Sequence, residues 1–255
     1  MTEPLKLYWW NAEPNFGDAI NPAIVAHVSG REVLWVPAAE AELLAIGSVL
    51  GFARARFERA PLPFVWGAGA LQPPTFLSEI EEAGRFCAVR GALTAVTLPK
   101  FRGALGDAGL LCPRIQAPPA ERSGIGVVPH RVTWKKPEAI QRIRQSGYKL
   151  IDVRNPDPWA VVAEIAACEA ILSSSLHGLV VADAYQIPNL WVGGAGNFKF
   201  YDYFYSVGRR IAHPLWLREG LRRVEAGDMD TAYLTEIPRV QDALSDAFPD
   251  ELKGS

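Results

Sequence analysis

With 255 residues, 49% hydrophobic and 21% charged, the chain reads as a globular α/β-sized protein of two small domains or one large one. A net charge of −2 argues against a basic field for nucleic acid, no apolar run reaches the length of a membrane span, and no signal peptide is expected at the N-terminus. Cys87, Cys112 and Cys168 are scattered, so reduced, buried thiols are expected rather than a disulfide framework or a zinc site. Eight tryptophans are many for this length, and exposed indoles often face sugars or a membrane interface.

Taken in order, Leu5 to Trp10 is the first predicted strand, and a loop carrying Asn15-Phe-Gly-Asp18 follows it. Asn21 as N-cap and Pro22 at the first helical position predict a helix to about Val28. Short apolar runs at Glu32–Val36, Leu43–Ile46, Phe64–Trp66 and Phe86–Val89 predict four further strands. They end in Gly47-Ser48, Gly67-Ala-Gly69 and Arg90-Gly91, and Leu105-Gly-Asp-Ala-Gly109 closes this half. Small and polar residues at strand ends are what a parallel sheet places around a ligand. None of these turns is a GxGxxG or a P-loop.

The proline-rich stretch from Cys112 to Ala120 predicts a linker. Beyond it, Ile125 to His130 is a strand with His130 at its carboxyl end. Pro137 to Gln145 is a helix, Tyr148 to Val153 a strand, and Asp157-Pro158 opens a helix to Cys168. Ala170–Leu172 then predicts a buried strand, Ser173-Ser174-Ser175 a tight turn, Leu176–Tyr185 a helix apolar on nearly every side, and Asn189–Val192 the next strand. His177 and Gly178 fall in the first turn of that helix, where free backbone N–H groups and the positive dipole end favour an anion. Hydroxyls, an imidazole and a glycine at a helix N-terminus are the parts of a phosphate or carboxylate site. The alternative is capping serines and a packing histidine.

From Lys199 to Arg223 the chain is basic, with Leu217, Leu221 and Val224 on one helix face and Arg218, Arg222 and Arg223 on the other. This helix is expected either to rest on an anionic membrane surface or to pack back across the domains. The acidic tail from Glu225 is expected to be loosely attached. His27 and His213 stand in no motif, and no cluster of histidines and carboxylates has metal-ligand spacing.

Asp152-Val-Arg154, Ala166-Ala-Cys-Glu169, Ser173-Ser-Ser-Leu-His-Gly178 and Lys199-Phe-Tyr-Asp-Tyr-Phe-Tyr-Ser206 come in one order. That order resembles the polysaccharide pyruvyl transferase family, especially its exopolysaccharide branch, over roughly Leu5 to Gly208. The resemblance implies two Rossmann-like domains facing across a cleft, a glycosyltransferase-B-like fold. The expected division is 1–116 on the acceptor side, 122–210 on the donor side, and 211–255 packing back across them. It implies transfer of pyruvate from phosphoenolpyruvate, the co-substrate, to a saccharide, free or lipid-linked, as a cyclic ketal. No metal or other cofactor is expected, and the place implied is the cytoplasm or the inner membrane face.

The matched Leu-His-Gly makes His177 an expected catalytic residue; His130, at a strand end, and Asp18, which could instead cap the Asn21 helix or hold its loop, are the others, with Ser174, Ser175, Leu176, Gly178, Arg90 and Lys199 expected at the donor and Asn15 and Gly17 at the acceptor. Many family members carry Arg before Leu-His-Gly. Ser175 stands there in this chain, so Arg90 or Lys199 is expected to supply the missing cation. The competing readings are a glycosyltransferase of the same build using a nucleotide-sugar, and a non-catalytic sugar-binding protein of a polysaccharide assembly complex. The modified sugar, its hydroxyl pair and the oligomeric state are not written in these residues.

Overall fold

The computed structural model describes residues 3–79, 85–193, 198–210 and 213–254. It is an α/β protein with two all-parallel sheets. In the first, β1 (Leu5–Tyr8), β2 (Val33–Trp35), β3 (Leu43–Leu44), β4 (Phe64–Ala68), β5 (Phe86–Val89) and β6 (Ala104–Leu105) stand in the order β2-β1-β3-β4-β5-β6. In the second, β7 (Ile125–Val128), β8 (Lys149–Leu150), β9 (Ala170–Ser173) and β10 (Asn189–Trp191) stand in the order β10-β9-β7-β8. Strands β4 and β9 are buried at every position, which is why they read as unbroken apolar runs.

Parallel pairing needs crossovers, and these are mostly helical. Short α1 (Phe16–Ala19) and α2 (Asn21–Ser29) lie between β1 and β2, and α3 (Ala92–Ala95) between β5 and β6. In the second sheet α4 (Pro137–Gln145), α5 (Pro158–Ala166) and α6 (Leu176–Ala184) connect successive strands. Helix α5 begins as its sequence predicts, with the Asp157 carboxylate accepting the N–H groups of Trp159 and Ala160. Asn21 differs from its expected role as a cap. It is the first residue of α2, and its buried amide exchanges hydrogen bonds with the backbone of Ile46. All nine residues of α6 are buried, so a helix apolar all round is a central helix here.

Each sheet has one place where successive crossovers leave in opposite directions, between β1 and β3 and between β7 and β9. Such switch points open a crevice at the carboxyl ends of the strands. The two halves share one continuous core, in which Leu110 and Leu111 pack with Val180, Val181, Tyr203 and Phe204. The expected linker starts later than Cys112: Ala108–Arg114 is a 3-10 helix with Cys112 buried, and the chain is mostly exposed only from 115 to 124.

The C-terminal segment corrects two expectations. Helix α8 (Leu217–Glu225) does turn Leu217, Leu221 and Val224 inward, each partly buried, but against the second sheet, where Gly220 sits on Val192 and Leu172. The element that crosses back is α9 (Ile237–Asp246), in the tail expected to be loose. Ile237 and Leu244 are fully buried, and the Trp66 indole N–H donates to the Leu244 carbonyl at 2.7 Å. The acidic composition of this tail belongs to its outer face.

Helix α7 (Phe198–Ser206) ties the halves together. Its Asp202 is buried against α3 and forms an ion pair with the equally buried Arg90 at 3.0 Å. The Arg90 guanidinium also donates to Ser48 Oγ and to the Ala70 carbonyl, while Thr94 donates to Asp202 from both its backbone and its hydroxyl. Removing one member strands the other charge in the core. We expect Arg90→Met to lower unfolding free energy by about 3–5 kcal/mol in denaturant titration.

Candidate functional site

The crevices of both sheets contribute to one cavity of about 500 Å³. Trp10, Asn15 and Asp18 come from the segment after β1, and Ser48 and Phe52 from the turn after β3. His130 and Arg131 follow β7, and Ser175, Leu176 and His177 follow β9. Lys199 reaches in from α7. A neighbouring cavity of about 880 Å³ shares His130 and Lys199 and is also lined by Ser174.

His177 lies in the first turn of α6 and packs on the first half of the chain. A Cβ at Gly17 would stand 2.0 Å from its Nδ1, so only glycine leaves room for the ring. Phe16 meets the imidazole edge-on at 6.5 Å between centroids. His177 Nε2 is buried, has no hydrogen-bond partner, and lies 3.7 Å from Asp107 Oδ2, which is also buried and unpartnered. The other Asp107 oxygen accepts the Gly109 N–H. Ser175, the N-cap, makes no side-chain capping bond, so the first N–H groups of α6 keep their capacity for a ligand.

Asp18 is buried and takes a hydrogen bond from the Asn15 amide. Burial pushes its carboxyl above the usual range, against the opposing pull of His177, Asn15 and Lys199. Its Oδ1 lies where a side chain on Gly47 would be, 2.6 Å from the position of a Cβ, and Gly47 has φ +104°; both facts demand glycine there. Burial, then Arg90, bring the Lys199 ammonium from 10.5 down to about 8, so it is still mostly charged at neutral pH. Burial, then Lys199, lower His130 from 6.5 to about 4. His130 is therefore neutral at neutral pH. Its Nδ1 accepts the Val132 N–H, which leaves its other nitrogen as an N–H donor.

The residues expected from the sequence divide. Asp18, Asn15, His130, Ser175, Leu176, His177 and Lys199 meet in the cavity. Ser174 lines the adjoining one and accepts the His130 backbone N–H at 2.8 Å. Gly17 serves as the seat of the His177 ring. Arg90 does not face the cavity, because its guanidinium is engaged with Asp202, Ser48 and Ala70 in the core. Gly178 is expected at the donor, yet a Cβ there would meet Ser173 Oγ at 2.3 Å and Val128 at 2.9 Å, so it lets α6 lie close on β7 and β9. Ser173 spends its hydroxyl on the turn itself, donating within hydrogen-bond reach of the Ser175 and Val128 carbonyls. Sequence reasoning missed Arg131, which pairs with Glu13, and left Asp107 aside. Arg131 follows His130 directly, and that adjacency was the available signal.

The fold and site thus define a parallel α/β protein with a cavity of mixed charge, lined by residues that follow strands of both sheets. The sequence model of the polysaccharide pyruvyl transferase family matches residues 121–195, the span holding β7 to β10, His130 and His177. Over these residues the chain is similar to the polysaccharide pyruvyl transferases, in line with the resemblance read from the sequence; the match does not single out a branch. The uncharacterized protein L143 of Acanthamoeba polyphaga mimivirus is 27% identical over 159 residues, 56% of this chain and 54% of its own, so the chain spans about half of that relative. The crystal structure of the glycosyltransferase SnogD from Streptomyces nogalater aligns over 92% of this chain and 76% of its own at 18% identity. Its TM-score of 0.33 is too low to carry an argument.

His130, half-buried and neutral in the folded protein, makes stability depend on pH. With 6.5 unfolded and about 4 folded, the unfolded chain binds more protons between these values, so stability falls as pH drops through that window. In His130→Asn the loss of melting temperature between about pH 7 and about pH 4.5 should be smaller than in the wild type. Equal losses in both proteins would show that His130 is not the group responsible.

Proposed function

We propose that this cavity transfers pyruvate from phosphoenolpyruvate to two hydroxyls of one sugar, in a bacterial exopolysaccharide or lipid-linked oligosaccharide repeat unit, forming a cyclic ketal and releasing phosphate. One observation carries the reading. A cation, a free helix N-terminus, a histidine and a buried carboxylate, drawn from both halves, converge on one cavity, and the residues His130, Ser175 and His177 among them lie in the segment matched to the family. On this reading the sheets belong to two Rossmann-like domains of glycosyltransferase-B-like build, 1–116 on the acceptor side and 122–210 on the donor side.

The donor carries a phosphate and a carboxylate. Lys199, the His130 N–H and the first-turn N–H groups of α6 bind these anions, and Ser174 and Ser175 add hydroxyls. His177 protonates the vinyl methylene, which leaves positive charge on the adjoining carbon. An acceptor hydroxyl attacks that carbon and gives up its proton to Asp18, whose raised pKa makes it a better base than a solvated aspartate. The carbon–oxygen bond to phosphate breaks with its electron pair going to phosphate. The second hydroxyl closes the ketal as it loses its proton, so two hydroxyl protons replace the one delivered to carbon and the one that leaves on phosphate. Asp107 lies 3.7 Å from His177 Nε2 and orients the ring. The reading assigns no metal or cofactor.

No helix among the described residues is long and apolar enough to cross a membrane. A phosphoenolpyruvate donor suits the cytoplasm, and a lipid-linked acceptor would bring the protein to the inner membrane face. The α8 arginines offer that surface in part: Arg218 and Arg222 carry it, while Arg223 is paired with Asp228 at 2.8 Å.

Phosphoenolpyruvate should raise the melting temperature, and mass spectrometry of candidate oligosaccharides should show the added pyruvate. Protection by a nucleotide-sugar alone would favour a glycosyltransferase instead. His177→Gln should lower kcat by roughly 10²- to 10⁴-fold with a smaller change in KM for phosphoenolpyruvate. Wild-type kinetics with reduced thermal stability would make His177 a packing residue.

Lys199 supplies a pH signature. As pH rises through about 8 the free protein loses a donor-binding cation, so kcat/KM for phosphoenolpyruvate should decline there. Lys199→Arg should move that decline to higher pH, and an unmoved profile would remove Lys199 from the donor site.

A further inference from the structure

We infer that Trp10 and Phe52 form a stacking platform for the pyranose ring of the acceptor, with its hydroxyl edge turned toward Asp18. This deepens the acceptor half of the proposed function and rests on it. Both aromatics sit at the β1/β3 switch point, Trp10 after β1 and Phe52 in the turn after β3. Their ring centroids are 5.1 Å apart with planes inclined by 31°, so they present a nearly continuous wall. Phe52 is 51% exposed and the adjacent Leu71 48% exposed, although all three line the same cavity as Asp18 and His177.

Large apolar side chains left exposed inside a concave wall are the parts a ligand covers. The chemistry of that ligand follows from what stands opposite. Asn15, Asp18 and Gln72 line the same cavity and can take hydroxyl hydrogen bonds. One apolar wall and one edge of hydrogen-bonding groups match a pyranose, which has C–H groups on its faces and hydroxyls around its rim. A flat protein partner would not reach a wall set within the cavity, and a small dianion has no apolar face to offer it. Stacking also fixes the ring so that two neighbouring rim hydroxyls point to the donor side, at His177 and Lys199. Sugars whose stacking face is interrupted by an axial hydroxyl should bind less well.

Saturation-transfer NMR on the full chain tests this with the methyl β-glycosides of glucose, galactose and mannose as probes. At least one should receive transfer chiefly at the ring C–H protons of one face. Trp10→Ala and Phe52→Ala should each weaken that binding by about tenfold, and Trp10→Phe should restore part of it. Far-UV circular dichroism and melting temperature verify that each variant is folded, and Phe52 is exposed enough for its replacement to be mild. Absence of transfer to the wild type from all three probes, or transfer unchanged in both alanine variants, overturns the inference. Thermal protection by phosphoenolpyruvate is measured in parallel. Protection without sugar binding sinks the platform alone, whereas platform-dependent sugar binding without protection sinks the donor reading and leaves the platform standing.

Discussion

The buried ion pair between Arg90 and Asp202 is the constraint on which the remaining arrangement depends. Two charges in a core are tolerated only when geometry and further hydrogen bonds compensate for lost water. Here Arg90 has Ser48 and Ala70 besides Asp202, and Asp202 has Thr94 besides Arg90. The pair joins the carboxyl end of β5 to α7, and α7 carries Lys199 one turn before Asp202. Helix α7 has a second anchor, where the Tyr203 hydroxyl donates to the buried Asp183 of α6 at 2.7 Å. Asp183 also takes hydrogen bonds from Asn189 and Tyr233, and Arg209 binds Asn189 in turn. Lys199 is thereby aimed into the cavity by a helix anchored to both halves.

The same economy of contact governs His177. Its helix belongs to the second half, but its ring rests on Gly17 of the first, and its Nε2 faces Asp107 of the first. The backbone N–H of Phe16 adds a hydrogen bond to the Val153 carbonyl across the same junction at 2.9 Å. Cationic and anionic groups therefore meet in one cavity lined from both halves, with Asp18 and His177 buried and Lys199 and His130 half-buried. Such pre-set charge costs little reorganisation when a charged ligand arrives. The mix of signs also suits a reaction that both adds a proton and removes protons.

The turn from Ser173 to Gly178 carries mostly local signals. Strand, turn and helix were legible because apolar runs, serines and Pro188 are local signals. The placement of His177 and Ser175 at a helix N-terminus followed from them. The division of labour inside the turn was not legible: Ser173 locks the backbone and Gly178 admits the neighbouring strands. Polar and small residues at a turn look alike whether they face a ligand or a packed wall. Arg90 shows the same ambiguity, since a strand-end arginine reads identically whether its partner is a phosphate or Asp202. In the C-terminal part, amphipathic spacing identified the apolar face of α8 but not which sheet it covers, and net acidity concealed that α9 is the firmly packed crossing helix.

What the sequence by itself determined is the parallel α/β class, most element positions, the family resemblance, and the candidates Asp18, His130, His177 and Lys199. These rest on periodicity, capping and motif order, all of which act over a few residues of chain. Only the tertiary structure decided which candidates share a cavity, that Arg90 belongs to the core, that Asp107 faces His177, and that Trp10 and Phe52 form one wall. Those relations join residues far apart in the chain, 112 positions for Arg90 and Asp202. They come from the strand order of each sheet and from packing between distant segments, and no local pattern encodes either.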